Sequence, residues 1–413
     1  MTSPINPDIA DDWAEVLEAC PHFCQSLSII SEYSFPTPDP LELPECLGLR
    51  PRSEFGKHDE WLNYLRQKGP GDISHRELYL RVLLLYAVSD QGAHIPGVRL
   101  FLSRFIQSSY EAGIRFFHDR DSIGDPRLID LAESAAEEAS DRYAEEWAAG
   151  RRKTAKSYSV FTIDSIGRLS TNSYVNSRIS PVLSLPHIVG GLYENVRKIR
   201  SSNGLIEFIK SDNKHGLKNA IGAKALSLYI KWIFHSFRLF DSQGRMAGIK
   251  PKSIAVPMDQ RIGRVLMRCG FMDEFFGIDW CLENQDESFP MFTHGNRIAR
   301  LENGRPPERV THLRVTNFRT QGRMNDDRLL EIFQRNKRPL LYHSVSINPQ
   351  NTIIILLNMF SKLNERYFPG DLDDALMNIA EYCTDSEPDC QRCVISSTCQ
   401  ANNGSEYLKL YHT

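Results

Sequence analysis

The chain has 413 residues, 41% of them hydrophobic and 24% charged, with a formal net charge of −3. That composition belongs to a folded globular protein and excludes a disordered or fibrous chain. The length allows one large domain or two to three smaller ones, each with its own core, and the near-neutral charge confines any anion-binding surface to a local strip.

In chain order, "MTSPINPDIADDWAEVL" carries acids where a secretory signal would carry basic residues and then an apolar run, so no signal peptide is expected. No run of about 18 apolar residues occurs, so no transmembrane helix is expected either. Residues 1–70 mix short helical patterns with Pro-rich turns such as "FPTPDPLELP". Segment 75–89, "HRELYLRVLLLYAVS", repeats its apolar positions at three and four and predicts a buried helix. "RLIDLAESAAEEASDRYAEEWAAGRRK" predicts an acidic amphipathic helix whose basic end suits the negative end of the helix dipole. "GGLYENVRKIRSSNGLIEFIKS" and "GAKALSLYIKWIFHSFRLF" continue the helical pattern, whereas "SYSVFTI" and "NTIIILL" are the possible strands. The predicted fold class is therefore mainly all-α. Residues 297–328 hold eight arginines and four acids without clear periodicity. They read either as a solvated surface loop or as a partly extended basic strip that contacts phosphates.

The nine cysteines are an odd number in a chain without a secretion signal. This points to a reducing compartment and to metal ligation more than to disulfides. Four of them, Cys383, Cys390, Cys393 and Cys399, fall within "CTDSEPDCQRCVISSTC". Four thiolates can hold zinc or an iron–sulfur cluster, and the remaining reading is four structural thiols. Zinc ribbons pair two C-x-x-C-like hairpins some distance apart. One compact loop with a single C-x2-C is better suited to wrapping a [4Fe–4S] cluster from one side.

The spacing C-x6-C-x2-C-x5-C resembles the cluster loop of the endonuclease III family of DNA glycosylases, and "ALMNIAEYC" supplies a helix that, as in that family, delivers the first cysteine. Three further landmarks resemble the helix-hairpin-helix glycosylases and stand in the family's order. "SIAVPMDQRIGRV" resembles the segment of the catalytic aspartate and places Asp259 there, with Arg264 and Val265 at the family spacing. A carboxylate beside C1′ stabilises the positive charge that grows on the sugar as the base leaves, and at a helix start it also caps backbone N–H groups. "KNAIGAKALSLYIKW" resembles the hairpin signature, with Gly222 at its second glycine and Lys224 at its lysine. Here Asn219, Ala220 and Ala225 replace the family's proline, first glycine and threonine, and Lys218 is the nearest rival lysine. A lysine that loses its proton on burial can attack C1′, form a Schiff base and nick the strand by β-elimination. "LLLYAVSDQGA" resembles the wedge segment and places Gln91 where a glutamine fills the hole left by the extruded base.

The resemblance implies a two-lobed all-α helix-hairpin-helix glycosylase fold. A six-helix barrel would span 72–250. Residues 1–71 and 251–413 would form the second lobe, with the basic insertion at about 297–328 and the [4Fe–4S] loop at 383–399. Segments at about 105–185 and 270–365 are longer than a minimal glycosylase needs. Asp259 and Lys224 would carry the chemistry; Gln91, Gly222, Arg264 and Arg392 would face DNA; the four cysteines would hold a structural cluster. The partner would be double-stranded DNA, with no membrane, and the protein a cytoplasmic monomer, nucleoid-associated in a prokaryote. The substrate would be a damaged or modified base, with bulky hypermodified cytosine of phage DNA as the antiviral alternative. The alternative of another class is a non-catalytic DNA-binding iron–sulfur protein.

Overall fold

A computed structural model of the chain describes residues 17–18, 20–33, 43–89, 95–151, 171–210, 217, 221–242, 244–257, 260–266, 268–270, 291–294, 297–299, 312–314, 357, 360–361, 364, 367–384 and 388–403. The chain divides into two compact units, Met1–Pro36 with Met258–Thr413, and Thr37–Pro257. The described elements are mainly α-helical. They open with α1, Pro21–Glu32, whose proline sits in the first turn, where no intrahelical N–H is required.

In the unit Thr37–Pro257 the described helices are α2 (His58–Arg66), α3 (His75–Ser89), α4 (Ile95–Glu111), α5 (Arg127–Arg151), α6 (Thr171–Tyr174), α7 (Ser180–Ile188), α8 (Tyr193–Val196), α9 (Ser202–Lys210) and α10 (Ala223–Lys231). Every residue of α3 is buried, Arg76, Glu77 and Arg81 among them, so these charged groups need partners within the fold. Two of them, Glu77 and Arg81 on successive turns, answer each other. Glu77 accepts Arg81 Nε at 2.8 Å, and also the N–H groups of Leu192 at 2.9 Å and Tyr193 at 2.8 Å. The buried carboxylate is thereby paired, and it holds the start of α8. Across α3 lies α10, with the Tyr229 hydroxyl on the Leu80 carbonyl at 3.2 Å. The acidic helix expected at 127–153 is α5; it turns Ala132, Ala135, Ala136 and Ala139 inward against α4.

The barrel was expected to begin at 72, but the unit begins at Thr37. The reason is α2. Its Trp61 is 1% exposed, meets Tyr79 edge-on with 5.4 Å between ring centroids, and donates Nε1–H to the Phe237 carbonyl at 3.1 Å.

Two π-helical turns, Val175–Ile179 and Trp232–Ser236, continue α6 and α10. After the second comes a hairpin that the sequence did not announce, β1 (Asp241–Ser242) and β2 (Arg245–Met246), antiparallel with Asp241 opposite Met246. Gly248 follows at φ +80, where a Cβ would stand 2.5 Å from Phe234 Cε1. Here both the dihedral and the ring demand glycine.

In the other unit, α11 (Gln260–Leu266) is followed by β3 (Met291–His294), β4 (Arg297–Ala299) and β5 (His312–Arg314), then by α12 (Pro369–Tyr382) and α13 (Gln400–Asn403). The sheet order is β4-β3-β5, antiparallel throughout, so the described parts of the basic run are extended. "SYSVFTI" lies outside the described residues; of "NTIIILL" only Leu357 is described, and it is helical. α12 packs on both α1 and α11 through Leu372, Leu376, Ile379 and Ala380 on one face.

Candidate metal centre: the four-cysteine loop

Helix α12 delivers the loop. Cys383 is its C-cap and its N–H closes the last turn on the Ile379 carbonyl at 3.0 Å. The chain then returns, with Asp389 N–H on the Tyr382 carbonyl at 2.8 Å. From there it winds in tight turns: Cys393 N–H to Cys390 O at 3.3 Å, Ser396 N–H to Cys393 O at 3.0 Å, and Cys399 N–H to Ile395 O at 2.8 Å. Ile395 is 2% exposed and anchors these turns inward. Thr398 meets the buried Ser26 hydroxyl of α1 at 2.8 Å, so a residue far away in sequence fixes the loop.

All four cysteines line one cavity of about 440 Å³, its solvent mouth included, together with Val265, Arg268, Ile379 and Tyr382. They form no disulfide. Burial pushes the Cys399 thiol up to about 11, with Cys383 and Cys393 raising it further. Burial also raises Cys393, with Cys383, Cys390 and Asp389 adding to the shift. As thiolates lining one cavity, the four sulfurs would repel one another. A cation that binds them displaces their protons and removes that repulsion. Among the described residues no group of three or more His, Cys, Asp or Glu side chains is placed to hold a single metal ion. Four soft thiol donors on one cavity are nevertheless the donor set of zinc–thiolate and iron–sulfur centres.

Two arginines one turn apart hold the first cysteine. Arg264 Nε donates to the Cys383 carbonyl at 2.5 Å. Arg268 Nη1 lies 3.4 Å from Cys383 Sγ and donates to the Thr384 carbonyl at 2.7 Å. The Arg268 carbonyl in turn accepts from Cys399 Sγ at 3.4 Å. Arg268 is 2% exposed. The sequence reading missed it, although it stands four residues after Arg264, about one helical turn in spacing.

Of the residues expected at DNA, Arg264 is placed differently. It is buried, and its guanidinium serves the cysteine loop instead of an open phosphate contact. Arg392 is exposed, stacks over the Tyr382 ring at 5.1 Å and pairs loosely with Asp389 at 3.8 Å. Gly222 is the exposed N-cap of α10 at φ −75, and a Cβ there would meet nothing within 4 Å. Nothing in the described fold requires glycine at that position. Lys224, half-buried, is the second residue of α10. Asp259, Gln91 and Lys218 lie outside the described residues; α11 begins directly after Asp259, and α3 ends two residues before Gln91.

Compared with known protein families, curated proteins and solved structures, the chain has no match.

Proposed function

We propose that this chain is a DNA glycosylase of the helix-hairpin-helix type that flips and excises a damaged or modified base, with a [4Fe–4S] cluster on Cys383, Cys390, Cys393 and Cys399. One observation carries the reading. The helix that starts at Gln260, directly after Asp259 in the sequence, supplies Arg264 to the cysteine loop, and Arg268, two residues beyond its end, reaches the first cysteine. The acid and the cysteine loop, matched to the family independently by sequence, are thus linked by the short stretch 259–268.

The residues fit the cluster: four thiol donors share one cavity, and a cationic side chain reaches the first sulfur. When bound, the cluster holds the loop and takes no part at C1′. In the reaction, the extruded nucleotide places C1′ beside Asp259, whose carboxylate stabilises the developing oxocarbenium charge. The Lys224 amine forms the new bond to C1′ as the N-glycosidic bond breaks and the base leaves with its electron pair and a proton. The resulting Schiff base permits β-elimination of the 3′ phosphate. Gln91 fills the vacated stack, which lowers the cost of flipping, a few kcal/mol. Arg392, exposed at the rim of the loop, meets a phosphate, and double-stranded DNA is the partner.

Borohydride trapping tests the assignment of Lys224. The duplex panel carries uracil, thymine glycol, 8-oxoguanine, an abasic site or glucosylated hydroxymethylcytosine. The expected result is a covalent adduct on one base-bearing duplex that disappears in Lys224→Gln. An adduct that survives this substitution gives the nucleophile's role to another amine. An adduct on glucosylated hydroxymethylcytosine alone makes the enzyme antiviral.

A further inference from the structure

We propose a second DNA-contacting surface in the unit Thr37–Pro257, formed by residues 197–200 together with the hairpin segment 245–252. Its partner is the phosphate backbone of duplex DNA. The segments 193–204 and 245–253 carry Arg197, Lys198, Arg200, Arg245, Lys250 and Lys252 against the single acid Glu194. In a chain of net charge −3 this is a local concentration of positive charge.

The two segments are packed against each other. Ser202 Oγ donates to the Ser253 carbonyl at 3.2 Å. The Ile199 carbonyl lies 3.6 Å from where a Cβ on Gly248 would stand. Beneath them, Tyr193 stacks on Phe240 at 5.3 Å and Phe240 on Phe234 at 4.6 Å. This aromatic column ties the first segment to the hairpin, so the cations stand on a fixed base.

Their charges are largely uncancelled. Arg197 pairs with Glu194 at 2.8 Å in an exposed contact, which solvent weakens. Arg200 donates to the Arg197 carbonyl and Lys250 to the Met246 carbonyl, both neutral partners. Lys198, Arg200, Arg245 and Lys250 are exposed, and among the described residues none has a carboxylate partner. A row of exposed, preorganised cations without carboxylates matches a polyphosphate better than a folded protein surface, whose acids come interspersed with bases. The choice of duplex DNA rests on the glycosylase reading; the surface itself does not.

The test is fluorescence anisotropy of the full chain on an undamaged mixed-sequence duplex at 50 and 200 mM salt. The quadruple variant Lys198→Gln, Arg200→Gln, Arg245→Gln, Lys250→Gln is compared with wild type and with Arg142→Gln, an exposed change on α5. Each lost phosphate contact lowers the slope of log K against log salt by about 0.9. Wild-type affinity is therefore expected to fall about 100-fold more across that range than the variant's, with Arg142→Gln like wild type. The single variants Lys198→Gln and Lys250→Gln, each lowering the slope by about one, give the same reading if the quadruple variant is unstable. Equal slopes in wild type and variants overturn the proposal, as does wild-type binding to polyglutamate as tight as to DNA. A changed slope with no base released from any duplex keeps the surface and removes the glycosylase reading. Base release with unchanged slopes does the reverse.

Discussion

Arg268 touches the first cysteine of the loop through its guanidinium and the last through its carbonyl. An N–H group beside a thiolate both neutralises charge and fixes the sulfur's orientation, and loss of such a supporting partner typically costs about 10–100-fold in metal affinity. Arg268→Gln is expected to lower the iron recovered per chain and to speed the fading of the brown absorbance in air. Unchanged iron content and fading would make Arg268 a packing residue only. Cys393→Ser is expected to abolish the absorbance near ~400 nm typical of a Cys-ligated iron–sulfur centre; a colourless wild type containing zinc would refute the cluster. A histidine away from the loop gives a pH signature. Burial, followed by the charges of Arg115 and Arg81, pushes His118 down to about 4, while its Nδ1 stands 2.8 Å from the Tyr110 hydroxyl. The unfolded chain, with His near ~6.5, then binds the proton that the folded one refuses. The stability from neutral His118 is present above pH ~6.5 and is lost as pH falls toward about 4. Urea titrations at pH 7 and pH 5 are expected to show a larger loss for wild type than for His118→Asn, by about 1 kcal/mol or less because the ring is partly solvated. Equal losses would show that the folded chain protonates His118 as readily as the unfolded one.

At the scale of elements, Gly248 and Glu77 carry the largest expected costs. In Gly248→Ala a methyl group would stand 2.5 Å from Phe234 at a positive φ, so a loss of about 1–3 kcal/mol is expected in chemical denaturation. A loss below about 0.5 kcal/mol would mean that the hairpin shifts freely. Glu77→Gln leaves Arg81 buried without its counter-charge, which costs about 3–5 kcal/mol; a neutral result would show that an uncharged amide oxygen is acceptor enough for Arg81 and the Leu192 and Tyr193 N–H groups. The helices α3, α5 and α10 were legible in the sequence because a buried helix face repeats locally. The hairpin β1–β2 was not, since two-residue strands leave no period. The tie of Arg264 to the cysteine loop was not legible either, for a related reason. Its hydrogen bond reaches a carbonyl 119 residues away, and local spacing carries no sign of such a contact.

At the scale of the whole molecule, two units share one chain, and the first 36 residues belong with the C-terminal part. The Pro-rich stretch near 35–44 marks that boundary in the sequence, but only the packing of Trp61 shows which side α2 joins. The cysteine loop was singled out by its spacing, and the structure brings its four thiols to one cavity; what that cavity holds is the proposal above. The proposed basic surface was not, because its two halves lie about fifty residues apart and are brought together by tertiary contacts such as Ser202 on Ser253 and Tyr193 on Phe240. The central claim is that Asp259 drives base release, and the most direct measurement is the formation of alkali-labile abasic sites in the same duplex panel by wild type and by Asp259→Asn. Wild type is expected to release one base, and Asp259→Asn to bind that duplex with unchanged affinity while its release rate falls at least ~100-fold, the scale of a lost transition-state electrostatic contact. Release at the wild-type rate by Asp259→Asn, or binding without release from any duplex by wild type, would contradict it.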